Sequence, residues 1–178
     1  MNRVRAISLF AAIACALRPP VGLGQEVSVT ADNGVVTLSV SAQKPYAVIV
    51  SGQPKTPVLS VVCQQKGKKI AHAVTFSPAG ILTEQEYSTF GSSASLVLEI
   101  NIGEHRQRTT WVAHGNLQSF DYVGKTEPER LQFLRALLSV STVSITFTPF
   151  LTGTPTSSTF DLTELRAEFD RYPECAMK

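Results

Sequence analysis

The residues that could perform chemistry are few and widely separated in this sequence. The histidines His72, His105 and His114 stand in none of the short spacings, such as HExxH, that bring two ligands to one metal ion. No G-x-S-x-G segment is present to expose a nucleophilic serine at a sharp turn. Glu84 and Glu86 match a glycosidase acid pair by residue type alone. The sequence therefore predicts no catalytic residue, no cofactor and no metal site, and it favours a non-enzymatic protein.

One candidate for a ligand pocket is the single tryptophan, Trp111, with His114 close behind it in the same predicted strand. An indole and an imidazole side by side could line a pocket, and ordinary packing at a strand end is the alternative. A Ser-His-Asp hydrolase would need His105 or His114 to meet a serine and an aspartate in space, an arrangement that distant positions can form. A small hydrolase is therefore the third functional hypothesis.

The segment 1–24 has the pattern of an export signal. Two arginines precede an apolar run at residues 6–17, which is too short to span a bilayer. Gly22 and Gly24 supply the small residues that a signal peptidase requires, so cleavage is predicted directly before Gln25. An uncleaved anchor or a buried helix is the alternative interpretation.

A second processing signal overlaps the first. The segment Ala12-Ile13-Ala14-Cys15 resembles a lipobox, in which the cysteine becomes acylated. Export is predicted on either interpretation, as a free protein or as one anchored in the envelope by lipidation of Cys15.

The charge balance excludes one class of partner. The chain has 16 basic and 14 acidic residues, but three of the basic residues lie in the predicted leader, which leaves 13 against 14. A nearly neutral domain has no general attraction for nucleic acid or for an anionic membrane. Lys66, Lys68 and Lys69 surround Gly67, a pattern typical of a solvated hairpin tip, with a binding patch as the alternative.

Two cysteines, Cys63 and Cys175, remain once the leader is removed. In an oxidising compartment such a pair usually forms a disulfide, and we predict one between them. Free thiols and a metal site are the alternatives. Neither a CxxC spacing nor a nearby pair of histidines accompanies the two cysteines, which argues against the metal.

The predicted mature chain, residues 25–178, has the composition of one mostly β domain. Apolar and polar residues alternate in short runs separated by turn residues, as in half-buried strands. Two strands, near residues 27–29 and 35–40, are predicted to be joined by a hairpin turn at residues 32–34. Further strands are predicted near residues 46–50, 57–64, 70–76, 95–102, 109–114, 116–123, 140–148 and 156–160, with residues 51–57 as a loop. An antiparallel β-sandwich of seven to nine strands is the preferred architecture, and a partly open barrel is the alternative.

Two short helices are predicted in the C-terminal third. Thr126 and Glu129 have the spacing of a capping box that opens the first helix. Asp161 and Glu164 have the same spacing at the second, which Pro173 is expected to end. Cys175 follows at once, so its bond to Cys63 would fix the end of the second helix.

The C-terminal third also resembles a known family. Residues 133–138, the segments ITFTPF (145–150) and STFDLTEL (158–165), and Cys175 follow one another as in small exported proteobacterial proteins of the VasI kind, which are associated with type VI secretion. The strand LSVVC, residues 59–63, is similar to the one that carries the earlier cysteine of that family. The shared motifs are strands, a helix cap and cysteines, so the resemblance implies an accessory role in secretion and supplies no active site.

The leading functional hypothesis is a periplasmic protein that binds another envelope or secretion-system protein, without catalysis. The alternative is an inhibitor or immunity protein that blocks a toxic enzyme of the envelope. Exposed strand edges and the loop at residues 77–93 are the predicted contact surfaces, because loops on a rigid scaffold often carry recognition. No nucleic-acid partner and no membrane-spanning segment in the processed chain are expected.

Overall fold

The computed structural model describes residues 25, 27–43, 46–50, 53–78, 95–114, 119–148 and 154–177. The predicted leader with Cys15, and most of the predicted contact loop, lie outside the described residues.

The described residues form eleven strands and two α-helices. In chain order the strands are β1 (Val27–Asp32), β2 (Val35–Ser41), β3 (Tyr46–Val50), β4 (Gln53–Lys55), β5 (Val58–Lys66), β6 (Lys69–Ser77), β7 (Ser95–Ile102), β8 (His105–His114), β9 (Ser119–Tyr122), β10 (Thr142–Phe147) and β11 (Thr156–Asp161). The helices are α1 (Glu127–Leu138), between β9 and β10, and α2 (Thr163–Phe169), which a 3₁₀ turn follows at Pro173–Cys175.

Nine of these strands pair in one antiparallel sheet, in the order β1-β2-β5-β6-β9-β8-β7-β10-β11. The predicted fold class, mostly β with two short helices late in the chain, is confirmed. The prediction of an unbroken loop at residues 51–57 is wrong, because β4 pairs with β3 in a separate two-stranded hairpin.

Local sequence accounts for the strands and for the turns that join them. In β2 the buried residues Val36, Leu38 and Val40 alternate with more exposed ones, as in a strand with one face on the core. Asn33 and Gly34 join β1 to β2 with φ angles of 48° and 74°, the left-handed conformation that a type I′ hairpin requires. The alternation of apolar and polar residues therefore defines which face of a strand is buried, and the turn residues define which neighbouring strands pair.

The sheet curls so that its inner face encloses the core. The ring of Phe76 on β6 meets Phe147 on β10 and Phe160 on β11 edge-on, although these strands lie far apart in the sheet order. Beyond the end of β2, the backbone N–H of Gln43 donates to the carbonyl of Thr159 on β11 at 2.9 Å. The side-chain amide of Gln25 also bonds to that carbonyl. These contacts bring the two ends of the sheet close together.

Both helices start close to their predicted positions. Thr126 is the N-cap of α1, and its Oγ1 accepts the N–H of Glu129 at 3.3 Å. Helix α2 begins at Thr163 behind Leu162, while the carboxylate of Asp161 accepts the N–H of Thr163 at 2.9 Å. The helix ends before Pro173, which begins the 3₁₀ turn rather than stopping the helix itself. None of the helices in the described ranges is long and apolar enough to cross a membrane.

The predicted disulfide between Cys63 and Cys175 is present. It joins residues 112 positions apart, with the Cα atoms 5.1 Å from each other and both residues fully buried. The bond ties the 3₁₀ turn that follows α2 to the middle of the sheet.

Candidate binding groove beside strand β6

Trp111, half of the pocket predicted from the sequence, lies in the core. Its indole Nε1–H donates to Thr109 Oγ1 at 2.9 Å, and its ring meets Phe76 and Phe133 edge-on. The side chain of His114 lies outside the described part of the structure. The pocket at Trp111 and His114 therefore stays a prediction.

Two adjoining grooves, of about 250 and 240 Å³, lie beside the first half of β6. Strand β6 forms one wall and the first turns of α1 form the other. We refer to the two together as the β6 groove. Its lining residues are Lys66, Lys68, Lys69, Ile70, Ala71, His72, Glu127, Arg130, Leu131 and Ala176.

The groove follows the edge of β6 rather than one face of the sheet. Strand β9 pairs with β6 only at Thr75 and Phe76, so residues 69–74 have no strand partner on that side among the described residues. Successive side chains of a strand point to opposite faces. A groove lined by the four consecutive residues 69–72 therefore runs along the strand edge.

The floor of the groove is an incompletely covered margin of the hydrophobic core. Ile70 and His72 share the face of β6 that buries Val74 and Phe76 further along, but both are only half-buried. Leu131, on the first turns of α1, is also half-buried. When a ligand covers such partly exposed apolar side chains, the free energy falls by about 25 cal/mol per Å² of apolar surface buried.

His72 links the groove to the disulfide. It lies opposite Cys63 in the β5–β6 ladder, and its Nε2–H donates to the carbonyl of Cys175 at 3.1 Å. Its ring lies 6.3 Å from that of Phe169 on α2. The imidazole thus helps to hold the C-terminal turn against β6.

Positive charge dominates the rim of the groove. Lys66, Lys68 and Lys69 are exposed, and none of them forms an ion pair with a described residue. Arg130 donates from Nη1 to the carbonyl of Gly124 at 3.2 Å, which anchors its guanidinium beside the groove. With Glu127 as the one acidic lining residue, four cationic groups face a single carboxylate.

Among the described residues, two groups have shifted pKa values, and both lie outside the groove. Burial, and secondarily the nearby Glu129 carboxylate, raise the pKa of Tyr122, whose ring stacks on that of Phe133. The hydrogen bond from the backbone N–H of Thr163, with a further bond from its side chain, lowers the pKa of Asp161. Both shifts follow from packing and helix capping, so they do not indicate a second site.

The side chains that line the groove combine positive charge with apolar surface. Among the described residues, no group of three or more His, Cys, Asp or Glu side chains lies close enough to hold a metal ion. The lysines and Arg130 offer several hydrogen-bond donors, and Ile70 and Leu131 offer apolar surface. Such a groove suits a ligand that carries carboxylates and an apolar group.

Comparison with known proteins returns no significant match to a family model, to a curated protein or to a solved structure. We therefore infer the function from the groove itself and from the sequence patterns described above.

Proposed function

We propose that this protein is an exported, non-enzymatic binding protein of the bacterial envelope that holds a segment of another envelope protein in its β6 groove. We further propose, from the sequence resemblance described above, that this partner belongs to type VI secretion machinery. The observation that carries the binding role is the combination of a cationic rim with a half-exposed apolar floor at an unpaired strand edge.

Charge and burial have separate effects on binding. An excess of cationic groups attracts acidic segments and raises the rate of association, and salt screens this effect. The floor at Ile70 and Leu131 adds apolar burial, which lowers the rate of dissociation. Because each of the two grooves is smaller than pockets that enclose a whole drug-sized ligand, a short segment of the partner suits them better than a broad surface.

Two observations support the periplasm as the site of action. The sequence begins with the pattern of a cleavable export signal. The disulfide between Cys63 and Cys175 is of a kind that forms and persists in oxidising compartments.

The test is a crosslinking capture of partners from the envelope of the native host. The tagged wild-type protein is compared with the double variant Lys66→Glu/Lys69→Glu, which reverses two exposed charges at the hairpin tip. Arg135→Glu is the matched control, because Arg135 is an exposed cation of α1 that does not line the groove. We expect one partner to be recovered with the wild-type and control proteins and lost with the double variant.

Equal recovery of the partner by all three proteins would show that the groove does not bind it. If a toxic envelope enzyme is recovered in place of a secretion subunit, the protein is an inhibitor or immunity protein, and the groove is then its inhibitory surface. Thermal unfolding of the three proteins shows whether the exchanged charges leave the fold intact.

A further inference from the structure

The exposed edge of β6 carries backbone groups as well as side chains. In an antiparallel ladder, each residue directs its N–H and C=O to the same neighbouring strand, and the direction alternates from residue to residue. The N–H of Gln65 on β5 donates at 2.9 Å to the carbonyl of Gly34, in the β1–β2 turn. Gln65 therefore faces away from β6.

The register carries this alternation across to β6. Gln65 pairs with Ile70, so Ile70 directs its backbone groups away from β5, and His72, two residues on, does the same. In the described part of the chain, no backbone hydrogen bond joins Ile70 or His72 to another element. The backbone N–H and C=O groups of Ile70 and His72 therefore face the groove. They have the spacing with which an edge strand pairs with a neighbouring strand.

The side walls suit a chain in the extended conformation. Lys69 and Arg130 stand on opposite walls, and Ile70 and Leu131 supply the apolar lining. A strand lying between these walls would direct alternate side chains to opposite faces. Carboxylates at one set of positions would reach the cations, and an apolar residue at the other set would cover the floor.

We propose that the segment held in the β6 groove is an extended acidic strand of the partner, which pairs edge to edge with residues 69–74 of β6. This inference rests on the proposed function and names the conformation and chemistry of its ligand. Strand addition obtains affinity from main-chain hydrogen bonds and specificity from alternate side chains. A helical ligand would leave the backbone groups of Ile70 and His72 unpaired, because a helix satisfies its own N–H and C=O groups internally.

The test uses capped synthetic peptides of about six residues, the usual length of a strand. The probe alternates Glu with Val. Two matched peptides carry the same side chains but are N-methylated, one at every odd residue and the other at every even residue. Since only alternate residues of a strand face its neighbour, pairing with β6 should be abolished by one methylation pattern and tolerated with the other.

The readout is the exchange of individual backbone amide hydrogens in the purified protein, followed by NMR. With the Glu/Val peptide at about ten times its dissociation constant, the amides of Ile70 and His72 should exchange about tenfold more slowly. A peptide that alternates Lys with Val should give no protection, and the Lys66→Glu/Lys69→Glu variant should bind the Glu/Val peptide more weakly.

Several outcomes would overturn the inference. The inference is wrong if the Glu/Val peptide fails to bind at all, or if the two methylated peptides both bind equally or both fail to bind. It is also wrong if the protein forms a dimer in solution in which a second copy covers this edge. The proposed function is judged separately. If the peptides fail while Lys66→Glu/Lys69→Glu still releases the captured partner, strand pairing is wrong and partner binding in the groove stands.

Discussion

At the scale of single residues, the ionisation of Asp161 makes the stability of the start of α2 depend on pH. Its carboxylate accepts the backbone N–H of Thr163 at 2.9 Å, and that bond is the main reason why its pKa is lowered. The ionised form is therefore favoured in the folded state relative to the unfolded chain. Its stabilising effect is fully present above the unfolded pKa of about 3.9, and it is lost as the pH falls through the lower folded pKa.

We expect Asp161→Asn to flatten the acid side of the stability curve. An asparagine at this position can still accept the N–H of Thr163 but cannot be protonated in this range, so the variant should lose less stability than the wild type between pH 5 and pH 2. Urea unfolding across this pH range measures the difference. Asp161→Ala is the control that removes the acceptor, with an expected cost of at most about 1 kcal/mol at neutral pH, because the bond is exposed to solvent. Parallel curves for the wild type and Asp161→Asn would contradict the assignment.

The sequence could predict residue roles wherever the cause is local. Spacing placed Asp161 at the start of α2, and its carboxylate accepts the N–H of Thr163, two positions on. The predicted capping box with Asp161 as its N-cap is wrong, because the helix starts one residue later and Leu162 is the N-cap, without a side-chain cap bond. The lysines around Gly67 are exposed at a hairpin tip, as predicted. Their place in a groove could not be predicted, because Arg130 and Leu131 come from a distant helix that only the tertiary fold brings beside them.

At the scale of elements, the disulfide holds the C-terminal turn and α2 on the sheet. Replacing both cysteines, Cys63→Ala/Cys175→Ala, should lower the free energy of unfolding by about 2–5 kcal/mol, because the loop of 112 residues is then unconstrained in the unfolded chain. Chemical denaturation compares the double variant with the wild type. Amide exchange in α2 should accelerate more than in β7, which lies away from the bond.

Reductant supplies the control for this prediction. Both sulfurs are buried, so reductant should act mainly on the unfolded protein and shift the wild-type denaturation midpoint toward that of the double variant. Identical unfolding of the wild type with and without reductant, at full equilibrium, would contradict a structural role for this bond.

The open edge of β6 shows where prediction of elements from the sequence stops. Alternation predicts strands close to β6 and β9, but it does not specify how far the two stay paired. After Tyr122 the chain remains with β8 instead, because the N–H of Val123 donates to the carbonyl of Thr110 at 3.2 Å. The segment after Tyr122 therefore does not pair with β6, and the edge of β6 beside α1 stays open.

At the scale of the whole molecule, local turns and long-range pairings differ in how readily the sequence reveals them. The hairpins β1–β2 and β5–β6 have two-residue turns with Gly34 and Gly67 at positive φ, so their pairing follows from nearby residues. The pairings of β2 with β5, β6 with β9 and β7 with β10 join distant segments. They depend on how the core packs, so the sequence could indicate a mostly β fold but not this strand order.

The curled sheet also explains why a groove lies at one end of the molecule. Aromatic packing of Phe76 against Phe147 and Phe160 fills the centre of the core, whereas Ile70 and His72 continue the same face beyond it. Helix α1 and the C-terminal turn cover that margin only in part. The groove therefore follows from the way the core is closed, and it has a wall of strand backbone as well as a wall of helix.

Site-specific photocrosslinking in the native host tests the central claim, that the β6 groove holds a partner. A photoreactive amino acid replaces Lys69 in the groove or, as the control, Val97 on β7, which is 59% exposed and lies outside the groove. From this claim we expect a covalent adduct of one discrete mass from position 69 and none from position 97. The same adduct from position 97, or no adduct from position 69, would contradict it.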